Sequence, residues 1–111
     1  MDALKAQAEG HYEDAITAAN TAFESAMKRI LNTEEGDATK LIQALIDKVV
    51  IPKYLKDKIQ ALPVIRNKES DAHGRAEVTD VSSELAQYAI HLSGSNIVFI
   101  ITRAKALGIL S

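Results

Sequence analysis

The sequence predicts an all-α domain, a four- to five-helix up-and-down bundle. Apolar residues recur at three- and four-residue steps through almost every segment, and residues that start or stop helices fall between those segments. Alternating runs rich in Val, Ile and Thr, the mark of strands, are nearly absent. The 111 residues form one domain, 1–111, with no room for a second core of ordinary size.

The first helix is expected over 11–31, with a short leader set off by Gly10. Tyr12, Ile16, Ala19, Phe23, Met27 and Ile30 then share one face. Residues 32–37 (Asn-Thr-Glu-Glu-Gly-Asp) read as a loop whose last residue, Asp37, caps a second helix carrying Leu41, Ile42, Leu45, Ile46 and Val49. Pro52 is expected to close that helix. A third segment starts near Tyr54 and carries Leu55, Ile59, Leu62 and Ile65. Pro63 either kinks or splits it, and Gly74 is a glycine stop. The last third begins near Thr79 or Asp80 and carries Val78, Val81, Leu85, Tyr88, Ala89, Leu92, Phe99 and Ile100. Its apolar phase runs through Ser93, Gly94, Ser95 and Asn96, which predicts one long helix with small residues against a neighbour. A helical glycine costs only about 1 kcal/mol relative to alanine.

Composition removes several kinds of chemistry. Hydrophobic residues make up 47% and charged residues 25%, so the chain can build a core and disorder is not expected. With no cysteine there is no disulfide, thiolate metal site or cysteine nucleophile, and three scattered histidines argue against zinc. No cofactor is expected. Asp2, Lys5 and Glu9 follow Met1, so no signal peptide is read. The longest apolar run, 97–101, is five residues, against the roughly 20 that span a bilayer. The expected setting is cytoplasmic, without a membrane.

The net charge of -2 means that any polyanion must be met by a local patch. Such a patch is visible in residues 53–75, where Lys53, Lys56, Lys58, Arg66, Lys68 and Arg75 face only Asp57, Glu69 and Asp71 in number. Arg66 and His73 are seven residues apart, within about 20° of one another around a helix of 3.6 residues per turn. Arginine clamps phosphate with a planar fork, and histidine moves protons near neutral pH. Together they are the minimum equipment for cleaving RNA without a metal. Glu69, one turn before His73, can accept a ring N–H, and Asn67 and Asp71 are spaced four apart beside the pair. A solvated helix end with surface ion pairs would have the same composition.

Arg66-Asn67-Lys68-Glu69-Ser70-Asp71-Ala72-His73-Gly74 resembles the RN…DAHG signature of the abortive-infection C-terminal domain family. That family is similar to the wider HEPN superfamily of helical RNases, marked by an Arg followed four to six residues later by a His. Here six residues intervene. Upstream, Ala18 and the string Phe23-Glu24-Ser25-Ala26-Met27-Lys28-Arg29-Ile30-Leu31 resemble the family's A…ES..K.IL first helix, and the last helix shares its small, apolar character. The likeness spans roughly residues 11–106.

The resemblance implies a HEPN-like homodimer whose two Arg…His motifs meet in one cleft, acting as a metal-independent endoribonuclease of phage-defence or toxin systems. Its products would carry cyclic-phosphate and 5′-hydroxyl ends. Carried over by position, Arg66 and His73 are the catalytic pair and Asn67, Asp71 and Glu69 support them. RNA would be held by Lys53, Lys56, Lys58, Lys68 and Arg75. Implied partners are a second copy, RNA, and an antitoxin or an N-terminal sensor region, since many relatives carry this module after a larger region. Some relatives carry a modifiable Tyr two residues after the His; Arg75 stands there in this chain. The alternative is a non-catalytic HEPN-like module for RNA binding or dimerisation. Glu24 is expected in a surface pair with Lys28, or else buried and facing the Arg66 motif. His91 is read as packed or interfacial and His11 as exposed. Tyr54, among Lys53, Lys56 and Lys58, could stack on a base, but packing on Leu55 and Ile59 is the preferred reading. Tyr88 and Phe99 are read as core.

Overall fold

The computed structural model describes residues 3–4, 11–74 and 82–111; side chains are described as far as position 68 in the helix that ends at 74, and from 83 in the last helix. Four longer helices form the domain: α1 (Tyr12–Leu31), α2 (Ala38–Asp47), α4 (Ala61–Gly74) and α5 (Ser82–Ala106). A 3-10 turn, Lys53–Leu55, and the single-turn α3 (Lys56–Ile59) connect α2 to α4. Among the described residues there is no strand, so the fold is all-α. Gly10, Arg75, Val78, Thr79, Asp80 and Val81 lie outside the described residues, as does whatever follows Gly74 as a stop.

α1 is the hub. It packs along α5 and also touches α2 and α4. Its inner face is the predicted one, with Ile16, Ala19, Phe23, Met27 and Ile30 buried. Leu41, Ile42 and Leu45 of α2, Ile59 of α3, Leu62 of α4 and Ala86, Ala89, Ile100 and Ala104 of α5 complete the core. α5 is one uninterrupted helix, as its apolar phase predicts. Its 25 residues span about 37 Å at 1.5 Å each and account for most of the 44 Å long axis of the molecule. Small residues bring α5 against α1, where the Ser93 hydroxyl donates to the Ala19 carbonyl at 2.7 Å.

The starts of the helices are legible. Asp37 caps α2, its Oδ1 accepting from the Lys40 N–H at 2.9 Å. Pro63 is resolved as a split: the chain breaks at Gln60 and Pro63 falls in the first turn of α4, where a missing N–H costs nothing.

The end of α2 differs from expectation. Neither Val49 nor Pro52 marks its last turn; α2 stops at Asp47, with Lys48 as C-cap. The Val49 N–H bonds the Ile46 carbonyl and the Val50 N–H reaches back to Leu45, each at 2.9 Å, which closes the helix in a Schellman turn. That turn needs a left-handed residue. Asn32 (φ 53°) supplies one after α1 and Gly108 (φ 74°) after α5, but after α2 the position is a valine at φ 64°. A β-branched residue is strained there. Arg103 of α5 holds the turn, its Nη2 donating to the Val49 carbonyl at 2.7 Å and its Nε to Val50 at 3.2 Å. Val50 and Ile51 then plug fully into the core.

Val49 is 61% exposed, so shortening it forfeits little burial. A left-handed residue with a Cβ costs about 1–2 kcal/mol, against about 0.5–1 kcal/mol of extra chain entropy for glycine. Val49→Gly is therefore expected to raise stability by roughly 0.5–1 kcal/mol, and Arg103→Met to lower it by about 1–2 kcal/mol, both read by urea denaturation. A Val49→Gly protein less stable than the parent would show that the turn is not strained.

Candidate functional site

α4 begins in the core and leaves it. Leu62 and Pro63 are buried and Ile65 is half-buried, but Arg66, Asn67 and Lys68 are all exposed. Three consecutive exposed residues sweep about 200° of a helical turn, so at 66–68 α4 presents more than half of its circumference to solvent. The helix runs on without interruption to Gly74. Positions 66 and 73 therefore share one helix, about 10 Å apart along it and within about 20° around it, as the spacing predicts. The side chains of Glu69, Asp71 and His73 lie outside the described residues.

Arg66 is exposed, and the hydrogen bond described for it is a local one, Nη1 donating to the neighbouring Asn67 Oδ1 at 3.3 Å. Lys53, Lys58 and Lys68 are also exposed. Lys56 is half-buried and its Nζ donates to Gln43 Oε1 of α2 at 3.1 Å, so it is tied to the bundle more than the other lysines. What these groups offer chemically is one planar cation and several point cations on the surface that follows α2. Among the described residues no group of three or more His, Asp or Glu is placed to hold a metal ion.

Other side chains singled out in the sequence are placed differently from expectation. Tyr54 does not pack on Leu55 and Ile59; it stands 84% exposed on the 3-10 turn. Leu55 is half-buried and Ile59 buried because α3 turns that pair inward, and the adjacent Tyr54 is left outside. Tyr88 is 49% exposed rather than core, whereas Phe99 is half-buried and packs against the core. His91 is exposed, which removes the packed half of its reading and leaves the interfacial half. Tyr88 and His91 lie toward the outer side of α5. His11 is exposed at the start of α1, as expected. Glu24 is half-buried and accepts from the buried Asn20 Nδ2 at 3.1 Å on its own helix.

No curated protein and no solved structure matches the chain. A family model does: that of the Abi_C HEPN-like domain, over residues 1–104. The matched span takes in α1, α2, the exposed Arg66 region of α4 and nearly all of α5, in agreement with the resemblance of the RN…DAHG string. The chain belongs to the Abi_C family of HEPN-like domains.

Proposed function

We propose that the domain is a metal-independent endoribonuclease of an abortive-infection or toxin system, with Arg66 and His73 as its catalytic pair. The observation that carries this reading is the unbroken α4, which runs through positions 66 and 73 in one register and exposes Arg66, Asn67 and Lys68. In the proposed reaction His73 takes the proton of a ribose 2′-hydroxyl and the 2′-oxygen attacks the adjacent phosphorus. A P–O2′ bond forms as the P–O5′ bond breaks, and the 5′-oxygen leaves with a proton. A cyclic phosphate and a 5′-hydroxyl result. Arg66 stabilises the charge that gathers on the non-bridging oxygens through two parallel N–H bonds. Asn67, Glu69 and Asp71 orient the pair, and Lys53, Lys56, Lys58, Lys68 and Arg75 hold the RNA backbone.

Self-association is part of the same proposal, and α5 supplies its surface. The helix is apolar and long enough to cross a membrane by length and composition, yet only 28% of its most apolar stretch is buried. Ala86, Ala89, Ser93, Asn96, Ile100 and Ala104 face inward. Glu84, Tyr88, His91, Ser95, Val98, Thr102 and Lys105 form the opposite stripe at alternating four- and three-residue steps, and all are exposed. The stripe is self-complementary. Glu84 and Lys105 stand at its ends, about 32 Å apart, with Ser95 at the midpoint. A two-fold axis at Ser95 sets Glu84 of each copy against Lys105 of the other. The exposed Gly94 lies beside it, with open space where a Cβ would be, so two helices can approach closely. α4 packs on α5 within each protomer, so this pairing carries both α4 helices into one assembly.

Labelled RNA incubated with the protein in chelator is expected to be cut. Arg66→Ala and His73→Ala are each expected to slow cleavage by about 10²-fold or more, leaving the folded state intact by circular dichroism. Cleavage that survives both changes would remove the assignment. RNA bound but not cut by the parent, with affinity falling steeply in salt, would favour the non-catalytic alternative.

Light scattering is expected to give a dimer for the parent and a monomer for Val98→Glu, which puts a charge into a residue that is 67% exposed and outside the core. A Val98→Glu protein that stays dimeric would exclude the outer face of α5. Flotation of the parent with lipid vesicles, in place of dimerisation, would do the same.

A further inference from the structure

The connector between α2 and α3 presents an aromatic ring that the fold takes trouble to hold out. Tyr54 is 84% exposed, a larger fraction than any other large hydrophobic side chain described. It does not hang from a slack loop. Val50 and Ile51 are fully buried on one side of it, Arg103 grips the carbonyls of Val49 and Val50, and the Leu55 N–H bonds the Pro52 carbonyl at 2.9 Å across the 3-10 turn. Val49, in its strained left-handed conformation, belongs to the same connector and is exposed as well. Strain of this kind persists only where the surroundings enforce it, and it gathers at ligand sites.

The charge around the ring selects the ligand. From 47 to 58 the chain carries Lys48, Lys53, Lys56 and Lys58 against Asp47 and Asp57, on a protein that is net negative. Asp47 is engaged by Gln43, whose Nε2 donates to its Oδ1 at 3.0 Å, while Lys48, Lys53 and Lys58 are exposed. An exposed aromatic face among cations fits the base and phosphate of a single nucleic-acid strand. A duplex hides its base faces and offers the ring nothing to stack on.

We infer that Tyr54 is a base-stacking platform for single-stranded RNA, with Lys53 and Lys58 as phosphate contacts beside it. The inference rests on the reading that this basic surface meets RNA, but not on cleavage. Chain geometry links the two places. From the 3-10 turn through α3 into α4, helical rise limits the Tyr54 and Arg66 backbones to within about 25 Å of one another. One strand of a few nucleotides can then touch the ring and reach the arginine. The turn is set before the ligand arrives, so little ordering is left for binding to supply.

The test uses the full chain carrying His73→Ala, so that RNA is not consumed, with a fluorescein-labelled 12-nucleotide oligouridylate and a labelled RNA duplex as probes in anisotropy titrations. Adding Tyr54→Ala is expected to weaken oligouridylate binding about tenfold and leave the duplex unchanged, while Tyr54→Phe stays within about twofold of the parent. Exposure of the ring predicts unaltered thermal melts for both. Equal oligouridylate affinity for Tyr54→Ala and its parent would overturn the inference, and so would an equal loss on both probes. If Arg66→Ala loses binding while Tyr54→Ala does not, the platform falls and the reading of Arg66 as an RNA contact stands. Failure of the parent to bind either RNA overturns both readings and turns Tyr54 into a contact for a protein partner.

Discussion

The close approach of α1 and α5 is the constraint on which the rest of the domain depends. A serine hydroxyl reaches a neighbouring helix's backbone carbonyl at 2.7 Å only where no large side chain keeps the two helices apart, and Ala19, Ala89 and Ser93 provide that. α2 and α4 both dock on α1, so a wider seam would shift each of them. The contact carries a cost. Asn20 Oδ1 and Asn96 Nδ2 are buried without a partner, and an unpaired buried polar atom costs about 1–3 kcal/mol. The apolar cluster around Phe23, Met27, Ile42 and Leu45 has to outweigh it. Those residues are fully buried, and each such side chain contributes about 1.5–3 kcal/mol.

How far this architecture can be read from the residues depends on whether a local signal has a competitor. Asp37 has none: a short carboxylate before an amphipathic run can hardly do anything but cap it, and it caps α2. Pro63 is nearly as clear, since only a first-turn position tolerates it without strain. The end of α2 is opaque because no glycine or asparagine announces it. The apolar phase passes straight through Val49 toward Pro52, and what stops the helix is tertiary. Val50 and Ile51 are drawn into the core, and Arg103, more than fifty residues away in sequence, bonds the carbonyls that the turn leaves over. No window of ten or fifteen residues contains that arginine.

The faces of α5 show a second limit. A helix that is apolar on most sides has no phase from which to choose an inward direction. Tyr88 and His91 therefore look like core or packed residues in the sequence and prove exposed. The inward direction is set by the small residues, Ala86, Ala89, Ser93 and Ala104, because only they fit against α1. For Tyr54 the ambiguity is similar. Tyr54 and Leu55 are adjacent and either could turn inward; α3 takes Leu55 and Ile59 toward the core and leaves Tyr54 outside. The candidate site divides along the same line. Its residue string is legible as a family signature without any structure, whereas for the aromatic beside it the sequence offers both stacking and packing, and only its exposure decides against packing.

The division of α4 into a buried start and a bare continuation carries a further consequence. A helix of ordinary composition owes most of its stability to the face that it packs, and a stretch with little packing is marginal on its own. At Arg66, Asn67 and Lys68 α4 turns its side chains to solvent, and these are among the polar residues that signal the family. Such an arrangement wastes stability if the domain acts alone. It makes sense if a ligand covers the exposed turn, and a polyanion has the right charge to meet Arg66 and Lys68. The same exposure that leaves residues 66–68 with little packing is what would make them available to a ligand.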